Sequence, residues 1–180
     1  IIRCGYGRDE RGQDDRQWYR NVSECERLGI PFGVYLYSYA KDTDSARSEA
    51  QHVLRLISGH NLTYPVYYDM EDDSTIGCDL TSIATTFCNT IKSAGYAVGV
   101  YASLSWWNTY LTAPCFGQWY RWVAQYNSTC KYTGEYAIWQ YSSTGRVSGI
   151  STDVDMNYLI GYPKDHGAAS SINIPDETQN

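Results

Sequence analysis

The sequence predicts an α/β fold built as a parallel sheet or barrel, and three observations support it. Helical segments alternate with extended apolar runs, the order of elements that builds such folds. The segments 29–35 and 95–101 share both glycines, the valine and the tyrosine, as if one βα unit occurred twice. Asp69 and Glu71 close an apolar run, where barrels of parallel strands carry their catalytic groups.

Three segments have the apolar spacing of amphipathic helices. We expect one helix over residues 18–28, a second between Thr43 and Gly59, and a third between Thr81 and Gly95. A polar residue that suits a helix N-terminus precedes each segment, and a glycine that suits a C-terminus follows it. Each predicted helix precedes an extended apolar run.

The extended runs predict six strands. The first three follow the helices, whereas the last three come after Leu111, where no convincing helix separates them. The predicted strands are residues 30–39, 64–71, 96–102, 121–126, 136–141 and 152–158. The last part of the sheet is therefore expected to be irregular.

Length and charge limit the classes of protein that fit. The 180 residues suit one domain, which we place at residues 1–162, followed by a polar tail or linker over residues 163–180. The net charge of −6 disfavours a nucleic-acid partner. No run approaches the roughly eighteen apolar residues of a membrane span. We expect a monomer.

The six cysteines form no Cys-x-x-Cys pair and have no histidine at zinc-finger spacing, so a structural zinc site is not expected. The even number permits three disulfides in an exported protein. Cys115 and Cys130 form the first pair to test, because both lie in loop-like sequence. Cys25 and Cys88 fall on apolar helix faces and are expected to be buried free thiols.

Asp69 and Glu71 are the candidate catalytic pair. In a strand their side chains point to the same face, with a rise of about 6.6 Å between them. A carboxylic acid and a carboxylate across a substrate hydrolyse glycosides. Glu71 is the expected acid, because its reference pKa is about 4.3 against about 3.9 for Asp and the charge of Asp69 would raise it further. Asp153 or Asp155, on the last strand, would supply a third acid.

Two other interpretations of these acids remain open. A divalent cation held by Asp69, Glu71 and Asp155 would suit magnesium or calcium, although few Lys and Arg residues lie near them in the sequence to bind a phosphoester. The 18 Tyr and 6 Trp residues favour a sugar-lined groove, but such residues also fill cores. A Ser-His-Asp triad is disfavoured because the sequence lacks a Gly-x-Ser-x-Gly elbow.

Five motifs in order carry a resemblance to a known family. They are residues 65–71 (PVYYDME), 99–103 (GVYAS), 122–126 (WVAQY), 139–141 (WQY) and 154–157 (VDMN). Together they resemble family 25 of the glycoside hydrolases, the lysozymes of the N-acetylmuramidase type found in bacteria and as phage endolysins. The resemblance spans residues 1–162.

The resemblance implies a flattened, irregular β/α barrel, secreted or associated with the cell wall, that cleaves the β-1,4 bond after N-acetylmuramic acid in peptidoglycan without a cofactor or metal. Glu71 matches the family's acid, and Asp69 matches the carboxylate that assists the substrate's acetamido group. Asp155, rather than Asp153, matches the acid of the last strand. The substrate groove would be lined by Tyr35, Tyr37, Tyr101, Gln125 and Trp139.

The chain departs from the family pattern at its start. Members open with a strand that reads like Gly-Ile-Asp-Val-Ser, whose Asp belongs to the site, and then a helix. Residues 1–7 instead resemble the family's second strand, so we expect the first strand and helix to be missing and the barrel to have two open edges. Without that Asp, a non-catalytic module that binds cell walls is the alternative to an enzyme.

Overall fold

Seven strands form one curled sheet that makes an open half-barrel in the computed structural model, which describes residues 1–161. The strands are β1 (Ile2–Tyr6), β2 (Val34–Tyr37), β3 (Val66–Asp69), β4 (Val98–Ser103), β5 (Tyr120–Ala124), β6 (Ile138–Gly145) and β7 (Val154–Leu159). The α-helices are α1 (Trp18–Leu28), α2 (Thr43–Ile57), α3 (Leu80–Ser93) and α4 (Leu104–Thr109). The predicted tail at 163–180 lies outside the described residues.

The strands lie in the sheet in chain order, from β1 to β7. Pairs from β1 to β6 are parallel, and β6 pairs with β7 in antiparallel fashion. Within the described residues β1 and β7 do not pair with each other, so the sheet has two free edges. The predicted α/β, barrel-like fold is confirmed.

The three predicted helices form, and their ends lie within a few residues of the predicted ones. Asp42 accepts a hydrogen bond from the Ser45 backbone at 2.7 Å before α2, and Asp79 accepts one from Ser82 at 3.0 Å before α3. α1 ends at Gly29 with φ of 66°, a left-handed conformation that glycine adopts readily. α4, which the sequence did not predict, begins where the Ser103 side chain caps the Trp106 backbone.

β2 and β3 are shorter than the predicted runs 30–39 and 64–71. Pro65 has no N–H to donate to a ladder, and β3 begins just after it at Val66. The strand then ends at Asp69, because the chain turns into a short 3-10 helix over Asp73–Thr75. Glu71 therefore lies just beyond the strand.

The core has two layers. The larger one packs α1, α2 and α3 against the outer face of the sheet. The smaller layer fills the concave face with aromatic rings around Trp122, whose ring lies 5.3 Å from Tyr67 and 4.8 Å from Tyr101. Several tyrosines that favoured a sugar groove thus fill the interior and form the floor of the groove above it.

The cysteines correct one expectation. All six are free thiols in the structure, so the predicted Cys115–Cys130 disulfide is not formed. Cys130 instead contacts the Tyr136 side chain, whereas Cys115 lies near Cys88. Cys88 is buried as predicted, but Cys25 is only partly buried because it lines the groove. No helix within residues 1–161 is long and apolar enough to cross a membrane.

Candidate active site

A groove of about 840 Å³ runs along the concave face of the sheet. The three predicted acids Asp69, Glu71 and Asp155 all line it. Five aromatic side chains share the lining, namely Tyr35, Tyr37, Tyr101, Trp122 and Tyr126. The fold therefore brings acids from two distant parts of the chain into one aromatic groove.

Asp69 is the most deeply buried of the three acids, with 5% of its surface exposed. It is the last residue of β3, and its Oδ1 atom is buried with no hydrogen-bond partner among the described residues. Burial raises the pKa of Asp69 well above its usual value, and the charge of Glu71 raises it further, with a smaller opposing effect from Arg3. The carboxyl group of Asp69 thus keeps one oxygen unpaired among the described residues.

Glu71 lies just beyond the strand end and is partly exposed. Burial raises its pKa, and the charge of Asp155 raises it further. The upward direction agrees with the sequence-based expectation, but Asp155, rather than Asp69, supplies the neighbouring charge. The physical reason is that Asp69 is more deeply buried and keeps its own proton to higher pH.

The structure distinguishes Asp155 from Asp153. Side chains alternate along β7, so Asp155 and Asn157 point into the groove. Asp153 lies just before β7 and forms an exposed ion pair with Arg146 at 2.8 Å. Of these two residues, Asp155 is therefore the one that shares the groove with Glu71.

The predicted tyrosines Tyr35, Tyr37 and Tyr101 line the groove. Burial raises the pKa of Tyr35 to about 12. The Tyr37 hydroxyl donates to Asp72 Oδ2 at 3.3 Å, and the Tyr101 hydroxyl donates to the Gln140 side chain at 3.0 Å. These bonds fix two of the three rings.

Gln125 and Trp139, two predicted site residues, are not among the residues that line the groove. Trp139 packs beside Tyr158 on the opposite face of the β6–β7 pair, with ring centroids 5.6 Å apart. Its indole N–H donates to the Gln125 carbonyl at 2.9 Å, while Gln125 Oε1 accepts from the Lys131 backbone at 2.6 Å. Because side chains alternate along β6, the residues on either side of Trp139 face the groove instead.

The sequence reasoning missed further lining residues, among them Trp122, Tyr126, Gln140 and Asn157. The Trp122 indole donates to Asn157 Oδ1 at 2.8 Å, and the Tyr126 hydroxyl donates to Gln140 Oε1 at 3.0 Å. A glutamine within an apolar strand was the available signal, because a buried amide needs partners.

Residues 1–161 contain no group of three His, Cys, Asp or Glu side chains arranged to hold a metal ion. Asp69, Glu71 and Asp155 thus share one groove without forming a metal-ligand set. The arrangement suits acid catalysis on a substrate whose rings pack against aromatic walls.

Asp69 at the end of β3 and Glu71 just beyond it have raised pKa values and lie in an aromatic groove, an arrangement typical of glycoside hydrolases. The chain belongs to family 25 of the glycosyl hydrolases, whose family model matches residues 10–150. The predicted family is therefore confirmed.

Two curated relatives and two solved structures illustrate the similarity. Lysozyme M1 of Streptomyces globisporus is 28% identical over 172 residues, which cover 83% of this chain and 56% of the relative. The autolytic lysozyme of Clostridium acetobutylicum is 29% identical over 137 residues, covering 74% and 40%. The chain thus spans about half the length of these relatives or less.

Among solved structures, the modular autolysin LytC of Streptococcus pneumoniae superposes with a TM-score of 0.77 at 34% identity, covering 87% of this chain and 39% of that one. The catalytic domain of an endolysin from bacteriophage P40 of Listeria monocytogenes superposes with a TM-score of 0.75 at 26% identity, covering 88% and 80%. Both structures have the same fold as the part of this chain that superposes on them.

Proposed function

We propose that this chain is a muramidase that cleaves the β-1,4 bond between N-acetylmuramic acid and N-acetylglucosamine in bacterial peptidoglycan. The observation that carries the proposal is the convergence of Asp69, Glu71 and Asp155 in one aromatic groove of a family 25 chain. Relatives named as lysozymes support the substrate class, as does a LytC structure with a synthetic peptidoglycan ligand. The action would take place at the cell wall.

Glu71 is the proposed general acid. Its raised pKa keeps the carboxyl group protonated at higher pH than an ordinary glutamate. Its position beyond the strand end leaves it partly exposed to the groove. In the first step the bond from the anomeric carbon to the leaving oxygen breaks, and that oxygen takes the proton of Glu71.

Asp69 is the proposed partner of the substrate's acetamido group. Its Oδ1 atom is buried without a partner among the described residues, so an acetamido N–H would satisfy it. That hydrogen bond favours the ionised carboxylate and orients the acetamido carbonyl oxygen, which forms a new bond to the anomeric carbon as the leaving group departs. Water, deprotonated by Glu71, then opens the resulting ring.

Asp155 is proposed to contribute its negative charge from the other side of the groove. Its carboxylate raises the pKa of Glu71 and would stabilise the positive charge that develops on the sugar ring in the transition state. Gln140 and Asn157 lie beside it in the lining, where their amide groups are suited to hydrogen bonds with sugar hydroxyls.

The decisive experiment incubates the protein with purified cell walls and assays new reducing ends. We expect Glu71→Gln to abolish their release, whereas Glu135→Gln, an exposed residue outside the groove lining, should behave as the parent does. Equal activity of parent and Glu71→Gln would refute the role of Glu71. Sedimentation with walls but no reducing ends from the parent would favour the binding module instead.

A further inference from the structure

Three tyrosines form a cluster at the carboxyl ends of β1 and β2. The Tyr37 and Tyr39 ring centroids lie 5.0 Å apart, and those of Tyr6 and Tyr39 lie 6.4 Å apart. Tyr37 lines the groove. Tyr6 and Tyr39 lie outside the lining and are 39% and 48% exposed. The tyrosine cluster therefore continues the aromatic wall of the groove onto the surface.

A buried carboxyl group fixes the backbone that carries Tyr39. The Tyr39 N–H donates to Glu49 Oε1 at 2.9 Å, and the Ser38 hydroxyl donates to Glu49 Oε2 at 2.8 Å. Glu49 itself is 0% exposed. The exposed ring of Tyr39 is thus attached to a backbone segment that is hydrogen-bonded to the core. Little conformational entropy is therefore lost when a ligand packs on the ring.

Tyr6 is anchored in a similar way. It ends β1, where the following N–H of Gly7 donates to the Tyr37 carbonyl at 2.9 Å. The Tyr6 hydroxyl donates to the Gly12 carbonyl at 3.4 Å. The two exposed rings consequently stand on two backbone segments that are tied to β2, next to the groove.

We propose that the tyrosine cluster is an accessory saccharide subsite, which takes a further sugar of the glycan strand that occupies the groove. This inference rests on the proposed function, because it takes its substrate class from it. A tyrosine offers an apolar ring face to the C–H face of a sugar and a hydroxyl to the sugar's own hydroxyls. Continuity with the groove through Tyr37 favours the same glycan strand over an unrelated ligand.

The test measures binding apart from cleavage. Soluble glycan oligomers of increasing length, prepared from peptidoglycan, are titrated calorimetrically into the Glu71→Gln variant. We expect affinity to rise with length, and the added Tyr39→Ala substitution to raise Kd for the long oligomers about fivefold while leaving the short ones unchanged. Tyr39→Phe, which keeps the ring, should retain most of the gain.

Tyr19→Ala is the matched control, because Tyr19 is 63% exposed and lies outside the groove lining. It should leave binding unchanged at every length. Equal weakening of short and long oligomers by Tyr39→Ala, no weakening, or no binding at any length would each overturn the subsite. Failure of the muramidase proposal is read separately, from the release of reducing ends by the parent protein.

Discussion

The hydroxyl of Tyr68 donates a hydrogen bond to the buried carboxyl group of Glu49. A side chain of α2 thereby holds β3 at the residue that precedes Asp69. Ser38, whose backbone N–H donates to the Asp69 carbonyl at 3.0 Å, bonds to the same carboxyl group. Glu49 thus connects the helix layer to the strand ends that carry the proposed site.

Replacement of Glu49 by leucine should lower the free energy of unfolding by at least about 2 kcal/mol, because each buried polar group left without a partner costs about 1–3 kcal/mol. The Tyr39 N–H and one hydroxyl donor would lose their acceptor, whereas Ser38 and Tyr68 keep the hydrogen bond between them. Urea denaturation measures the change. The exposed control Glu135→Leu should lie close to the parent, and a loss below about 1 kcal/mol for Glu49→Leu would contradict this assignment.

Asp69→Asn should raise Tm at neutral pH by about 3 °C or more. The folded-state pKa of Asp69 lies above its unfolded value, so the stability it contributes is present below the unfolded pKa and is lost as pH rises through the folded pKa. The asparagine side chain does not ionise, so the variant does not lose stability in this way as pH rises. Thermal scans at several pH values measure the effect, which should shrink towards pH 4.

Asp153→Asn, at the exposed ion pair with Arg146, is the matched control and should show no such pH-dependent gain. An Asp69→Asn variant whose Tm falls at neutral pH would show that Asp69 stabilises the fold as a carboxylate.

Asp155→Asn should move the basic limb of the pH profile of kcat/KM to lower pH. Glu71 must be protonated to act as an acid, so activity falls as pH rises through its pKa. The charge of Asp155 raises that pKa, and the amide removes the charge. Initial rates on cell-wall suspensions measure the shift, and an unmoved basic limb in Asp155→Asn would remove Asp155 from this role.

Gly99→Ala should destabilise the protein by about 1–3 kcal/mol through overpacking and lower its activity. A Cβ atom at this position would lie 2.4 Å from Tyr67 Cε1 and 2.7 Å from the Tyr120 carbonyl oxygen. Tyr67 supports Trp122 in the groove floor. Gly12→Ala meets nothing within 4 Å and should be neutral, so equal Tm values for the two variants would contradict the close contact.

Much of the fold could be predicted because the signals were local. Gly29 caps α1 through contacts with adjacent residues, so a short sequence pattern identified this end, whereas α3 begins after Asp79 rather than at the predicted Thr81. Strand lengths were less well predicted, because a strand extends only as far as its neighbours pair with it. β6 runs to Gly145, beyond the predicted end at residue 141, since the antiparallel β7 continues the ladder.

The site shows the same division. Trp139 and Gln140 are adjacent, and a strand turns neighbours to opposite faces. The sequence motif located the segment, but the register of β6 decided that Gln140 enters the groove and Trp139 does not. The amino-acid composition and the order of the motifs cannot show which of two adjacent side chains faces the groove.

By itself the sequence determined the family and most of the order of helices and strands, and it located Asp69, Glu71 and Asp155 as candidate acids, because these follow from local periodicity and ordered motifs. Only the tertiary structure decided which faces meet and how deeply each acid is buried. It brought Asp155 to Glu71 and buried Asp69 almost completely. Desolvation and charge depend on the whole surroundings of a group, so the direction in which the pKa of Asp69 and of Glu71 shifts follows only from the folded chain.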